Sequence, residues 1–176
     1  MTTTFSIQRP AAGEFNPYYQ TYISLVPDGD LLEILQRQGG ETVSLLRGIS
    51  EEKSTYAYAP GKWTIREVIG HLTDAERVFT YRALSFARAD SSALPSFDEN
   101  VWAQTSNARH RSIEDHIDDF IAVRASTLAL FRGFTAEDFA RSGIASSNKV
   151  TVRALAYITA GHERHHVRVL RERYGV

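Results

Sequence analysis

The chain has 176 residues, 43% of them hydrophobic, and a formal net charge of −1. That length supports one domain with a real core, and the charge balance gives no global basic field for nucleic acid. The chain has no cysteine, which excludes disulfides, a protein thiolate nucleophile and metal sites built on sulfur, so any metal must take nitrogen and oxygen ligands.

No apolar run approaches the ~20 residues of a membrane span. The opening stretch MTTTFSIQRPAAGEF lacks the basic segment and apolar core of a signal peptide, so a cytoplasmic location without a membrane partner is the expectation. Residues 1–29 read as an irregular arm of a single domain, 1–176, with Phe5, Phe15, Tyr18, Tyr19 and Tyr22 available for packing. The first helix is expected from roughly Asp30 to Ser50, with Leu31, Ile34, Leu35, Leu45, Leu46 and Ile49 at helical spacing. An aspartate of the Pro27–Asp30 turn caps it, and Gly39-Gly40 marks a place where it can bend.

The second helix runs from about Thr64 to Ala89 and opens on a capping box, Thr64-Ile65-Arg66-Glu67. Residues 90–111 form a long link whose Leu94, Phe97 and Trp102 should pack on the helices. A crossover of that length lets consecutive helices run parallel. The third helix spans about Ser112 to Arg132 and stops at Gly133. A short capped turn follows at Thr135–Asp138, then a polar loop. The fourth helix runs from about Thr151 to Tyr174. Four long helices and no convincing strand define an all-α class.

The last helix carries three histidines in ITAGHERHHVRVL, residues 158–170. At ~100° per residue, Thr151, Leu155, Ile158, His162, His166 and Val169 share one face. His162 and His166 have the i,i+4 spacing by which two imidazoles can share a metal, and His165 falls on the flank. On spacing alone, a metal pair and two hydrogen-bonded core imidazoles are equally supported. A third ligand would come from another helix, and the second helix offers His71, on the edge of its stripe beside Val68 and Ala75. Taken alone, an ordinary boundary histidine is the better reading of His71. His110, in the link, and His116, flanking the third stripe, have weaker claims.

Two charges also fall inward: Glu76 between Leu72 and Phe79, and Arg124 between Phe120 and Leu128. A buried charge without a partner is costly, so these two are expected to pair, in a structural rather than a catalytic role. Gln38 and Thr42 face inward from the first helix. Asp74 and Glu163 lie near the histidines but project away from stripe centres, so both are expected at the surface. Arg164, Arg168 and Arg171 complement the dipole of the last helix, with Arg173 near its inward stripe, and no nucleic-acid role is expected of them.

GKWTIREVIGHLTDAERVFTYR and AGHERHHVRVLRERY resemble the second and last helices of the DinB-like metal-binding superfamily. PYYQTYISLVPDGDLLEIL and LPSFDENVWAQ are similar to further stretches of its members, so the resemblance covers nearly the whole chain. It implies a four-helix bundle with a long crossover between helices 2 and 3, a homodimer, and a divalent metal, zinc or nickel, held by His71, His162 and His166. It also implies a thiol S-transferase in which the metal activates a low-molecular-weight thiol such as bacillithiol toward a small electrophile, with Trp102 and Phe97 walling the site. Two alternatives stand beside it: a hydrolase using metal-bound hydroxide, and a non-enzymatic metal- or ligand-binding stress-response protein.

Overall fold

The computed structural model describes residues 6–176; Phe5, assigned above to the arm, lies outside them. Four long helices form the bundle: α2 (Leu31–Arg47), α3 (Ile65–Ala87), α5 (Ile113–Arg132) and α7 (Val152–Val169). Each begins where the sequence carries its cap. Asp30 accepts from the Leu32 and Glu33 amides. Thr64 with Glu67 and Ser112 with Asp115 close reciprocal capping boxes, and Thr151 accepts from Ala154. The last helix ends in a π-helical turn, Leu170–Tyr174, before Gly175 at a φ of 67°.

Helix α3 packs against α5 and α7, and α2 packs against the same two helices, so the consecutive pair α2 and α3 lies across a diagonal. A cluster at one end joins Leu46 of α2, Ile65 and Ile69 of α3, Ile113 and Ile117 of α5, and Leu170 and Tyr174 at the chain's end. The start of α3 therefore meets the start of α5, and these two consecutive helices run parallel. Parallel neighbours need a crossover as long as the bundle, which accounts for the length of the link. The link carries a short helix of its own, α4 (Glu99–Thr105), capped by Asp98.

The arm forms a 3-10 turn at Pro17–Tyr19 and one helical turn, α1 (Gln20–Ile23), which lies on α7. The approach is close enough that a Cβ at Gly161 would collide with the Tyr22 carbonyl. With the arm on one side and the bundle on the other, α7 is buried on every side from Ala154 to Glu163.

The polar loop after α6 (Ala136–Ala140) corrects the expectation of no strand. It is an antiparallel hairpin, β1 (Ser142–Ala145) and β2 (Asn148–Thr151). Its turn residues Ser146 and Ser147 have φ of 51° and 62°, the geometry that Asn-Gly normally announces, so the composition gave no signal. The link docks on it: the Leu94 amide donates to Ile144 O at 2.9 Å, and the Ser146 amide donates to Leu94 O at 3.0 Å.

Helix α2 runs unbroken through Gly39 and Gly40, and the two glycines differ in kind. A Cβ on Gly39 would stand 3.0 Å from Arg124 Nη1, whereas one on Gly40 meets nothing within 4 Å. Gly40→Ala should therefore stabilise the protein by ~0.5–1 kcal/mol. Gly39→Ala should cost about 1–3 kcal/mol, because the held guanidinium must shift. Urea denaturation of the two single variants checks the opposite signs.

Candidate metal centre

His71 sits two turns into α3, and His162 and His166 sit on the facing side of α7. Their rings converge. The Nε2 atoms of His71 and His162 are 3.1 Å apart, as are those of His166 and His162. One ligand atom from each of the three lies within 4.8 Å of the others. Two nitrogens bound tetrahedrally at ~2.0–2.1 Å stand roughly 3.3 Å apart, so the rings are disposed as they would be around one ion.

Electrostatics favour the same use. Burial is the main cause that holds the His71 imidazole down to about 4, against a smaller upward pull from Glu99. Burial, then the neighbouring imidazoles, holds His162 and His166 well below the ordinary value. All three are neutral at pH 7 and offer lone pairs. Lone pairs aimed at one point repel unless a cation or proton sits among them. His166 Nδ1 is in addition buried with no hydrogen-bond partner among the described residues. The residues present therefore fit a divalent cation, and His71, His162 and His166 are the ones that could hold it.

The other histidines do not join the cluster, although His165 lines the same cavity. His165 packs edge-on against Tyr22 and His166, with ring centroids 5.3 Å and 5.0 Å away. His116 is buried and bonded through Nε2 to Ala108 O at 3.0 Å, and His110 is exposed in the link.

A cavity of about 320 Å³ opens at the three rings. Trp63, Phe79 and Phe97 wall it, with Tyr18, Tyr19 and Tyr22 of the arm, while Arg82, Glu99 and Ser146 add polar atoms. Phe97 takes the place expected of it. Trp102 does not reach the cavity: it is largely exposed and lies against Phe97, centroids 4.7 Å apart. Arg82 and Glu99 were not singled out from the sequence. Arg82 could have been, since it follows His71 by eleven residues and so shares its face within ~20°.

Beneath the histidines lies a buried ionic joint. Arg124 donates from Nε and Nη2 to Glu76 at 2.9 Å and 2.7 Å, and from Nη1 to Leu35 O at 2.9 Å. The expected Glu76–Arg124 pair is thus present, with a further member: Glu163 lies 2.8 Å from Arg124 Nη2. Glu163 also accepts from Thr42 Oγ1 at 2.6 Å and from Gln38 Nε2. This corrects the surface reading of Glu163. Burial opposes the Arg124 charge, but Glu163 and Glu76 outweigh it and raise its pKa above the ordinary value. Asp74 pairs with Arg77 at 3.2 Å, and Arg173 is exposed rather than inward.

Arg124→Met leaves two buried carboxylates without their cation and should cost about 3–5 kcal/mol. Adding Glu76→Leu should not restore stability while Glu163 remains. Replacing all three by apolar residues should lose less than Arg124→Met alone. Chemical denaturation of the set measures this, and additive losses would contradict a shared joint.

Known proteins bear on the site. The family model of the DinB superfamily matches residues 34–170. A protein of Geobacillus thermodenitrificans is 28% identical over 133 residues, 73% of this chain and 75% of its own. One from Geobacillus kaustophilus is 29% identical over the same length and coverage. Both are named, provisionally, as metal-dependent hydrolases. The solved structure of YfiT from Bacillus subtilis is described as a probable metal-dependent hydrolase with an unusual four-helix bundle topology. It matches with a TM-score of 0.69 at 18% identity, over 96% of this chain and 94% of that one. That likeness establishes the fold, and the family match over most of the sequence establishes the lineage: this chain belongs to the DinB superfamily.

Proposed function

We propose that the chain is a metal-dependent thiol S-transferase, in which His71, His162 and His166 hold one divalent cation, zinc or nickel. The observation that carries this reading is the convergence of three ring nitrogens from two helices at the wall of a cavity. Three imidazole ligands leave a coordination position open, the arrangement of catalytic rather than closed structural sites. Bound there, the cation supplies a Lewis acid that lowers the pKa of a thiol or water.

The thiol must be a substrate, because the chain has no cysteine. Trp63, Phe79 and Phe97 offer apolar walls for a small organic acceptor. In the transfer a sulfur lone pair forms the carbon–sulfur bond either as a halide leaves, the thiol proton passing to solvent, or as an epoxide C–O bond breaks and its alkoxide oxygen takes up a proton. A second reading, hydrolysis, is favoured by one feature: the Glu99 carboxylate on the cavity wall could take a proton from an attacking water. The names of the relatives point the same way.

Metal-loaded protein given a low-molecular-weight thiol and an alkyl halide should form the thioether faster than the uncatalysed mixture. Chelator should abolish the rate. His162→Ala should weaken metal binding by more than the ~10–100-fold typical of losing an outer partner, as read by elemental analysis after dialysis. Conjugation unchanged by metal removal would end the transferase reading, and ester turnover by water without thiol would replace it with the hydrolase.

A further inference from the structure

Three arginines are buried: Arg66, Arg82 and Arg124, at 9%, 4% and 5% exposure. Arg66 pairs with Glu51, and Arg124 with Glu76 and Glu163. Arg82 has no carboxylate within ion-pair distance among the described residues. Its Nη2 donates to Pro95 O at 2.7 Å and to Ser146 Oγ at 3.0 Å, and its Cζ lies 6.0 Å from the centroid of the Phe97 ring. Such dipoles orient a guanidinium without neutralising it. Burial pushes the Arg82 pKa down, whereas that of Arg124 is raised. An unpaired buried cation is costly, and this one lines the cavity that ends at the three histidines.

We propose that Arg82 is the anchor for a carboxylate carried by the substrate, which holds its reacting end at His71, His162 and His166. His71 and Arg82 lie on one face of α3, their α-carbons ~16 Å apart by helical rise. Ala75 and Phe79 line the cavity between them, so an elongated molecule laid along α3 meets the imidazoles with one end and the guanidinium with the other. Arg82 is the single permanent cation among the lining residues and Glu99 the single carboxylate, so the lining holds no second positive charge for a phosphate dianion and suits a monoanion better. With both Nη2 hydrogens taken, Nε and Nη1 remain to donate, and a carboxylate would be held by a single charge-assisted hydrogen bond rather than by a bidentate fork. Pro95 O and Ser146 Oγ fix the guanidinium from the link and the hairpin turn, which gives both segments a part in recognition. The inference rests on the proposed site for its reacting end, but the anion anchor itself stands on Arg82 alone.

The test is calorimetric binding of matched pairs of small ligands to the zinc-loaded protein. One pair is a set of ω-mercaptocarboxylates against their amides. The other is the thiol-free carboxylates, such as butyrate, against their amides. Wild type should prefer the carboxylate by ~10–100-fold in both pairs. Arg82→Met should abolish the preference while metal content stays unchanged, and Arg82→Lys should retain part of it. Wild-type binding that does not distinguish carboxylate from amide overturns the anchor without any variant, as does a preference that survives in Arg82→Met. If the preference holds for butyrate but the thiol adds nothing, the anchor stands and the thiol-transfer reading falls.

Discussion

The buried joint of Arg124 with Glu76 and Glu163 is the constraint on which the remainder of the molecule depends. It touches all four bundle helices: Arg124 from α5, Glu76 from α3, Glu163 from α7, and Leu35, Gln38 and Thr42 from α2. Ionic groups this deep are costly to desolvate and contribute little net stability. What they impose is register, because no sliding of one helix along another keeps three charges matched. Glu163 follows His162 directly, and Glu76 lies five residues beyond His71. Holding the two carboxylates on one guanidinium therefore also holds the facing imidazoles at 3.1 Å. Gly39 belongs to the same device, since its missing side chain is the space the Arg124 stem occupies.

Much of this was legible in the sequence, for physical reasons. Capping residues announce helix starts because each satisfies a specific unpaired amide, and the Thr64–Glu67 and Ser112–Asp115 boxes formed as written. The inward pair Glu76 and Arg124 was legible because a charge on an apolar stripe demands an opposite charge nearby. The convergence of His71 with His162 and His166 was only half legible: spacing offered the pair on α7 and named His71 as the third candidate, but taken alone His71 read as an ordinary boundary histidine.

The misses share a cause. Helical projection assumes one buried face, but α7 is enclosed on all sides by the bundle and the arm. Glu163 looked peripheral on the projection and is 1% exposed. Arg82 was overlooked because a cation at a stripe's margin reads as a side chain reaching solvent. Its partners are a carbonyl in the link and a serine in a hairpin, which no local pattern connects to α3. The hairpin itself turns through two serines in the left-handed region, where residue type carries no turn signal.

The cavity is thus lined by unlike groups, the imidazoles, the Arg82 guanidinium and the Glu99 carboxylate, among aromatic side chains. The central claim is that the three rings bind one cation together. X-ray absorption at the metal edge of protein loaded with one equivalent of zinc or nickel tests it most directly. Imidazole nitrogens are expected at ~2.0–2.1 Å, with the shell altered in His71→Ala and a sulfur scatterer at ~2.3 Å entering when thiol is added. A shell lacking imidazole scattering, or one identical in wild type and His71→Ala, would contradict it.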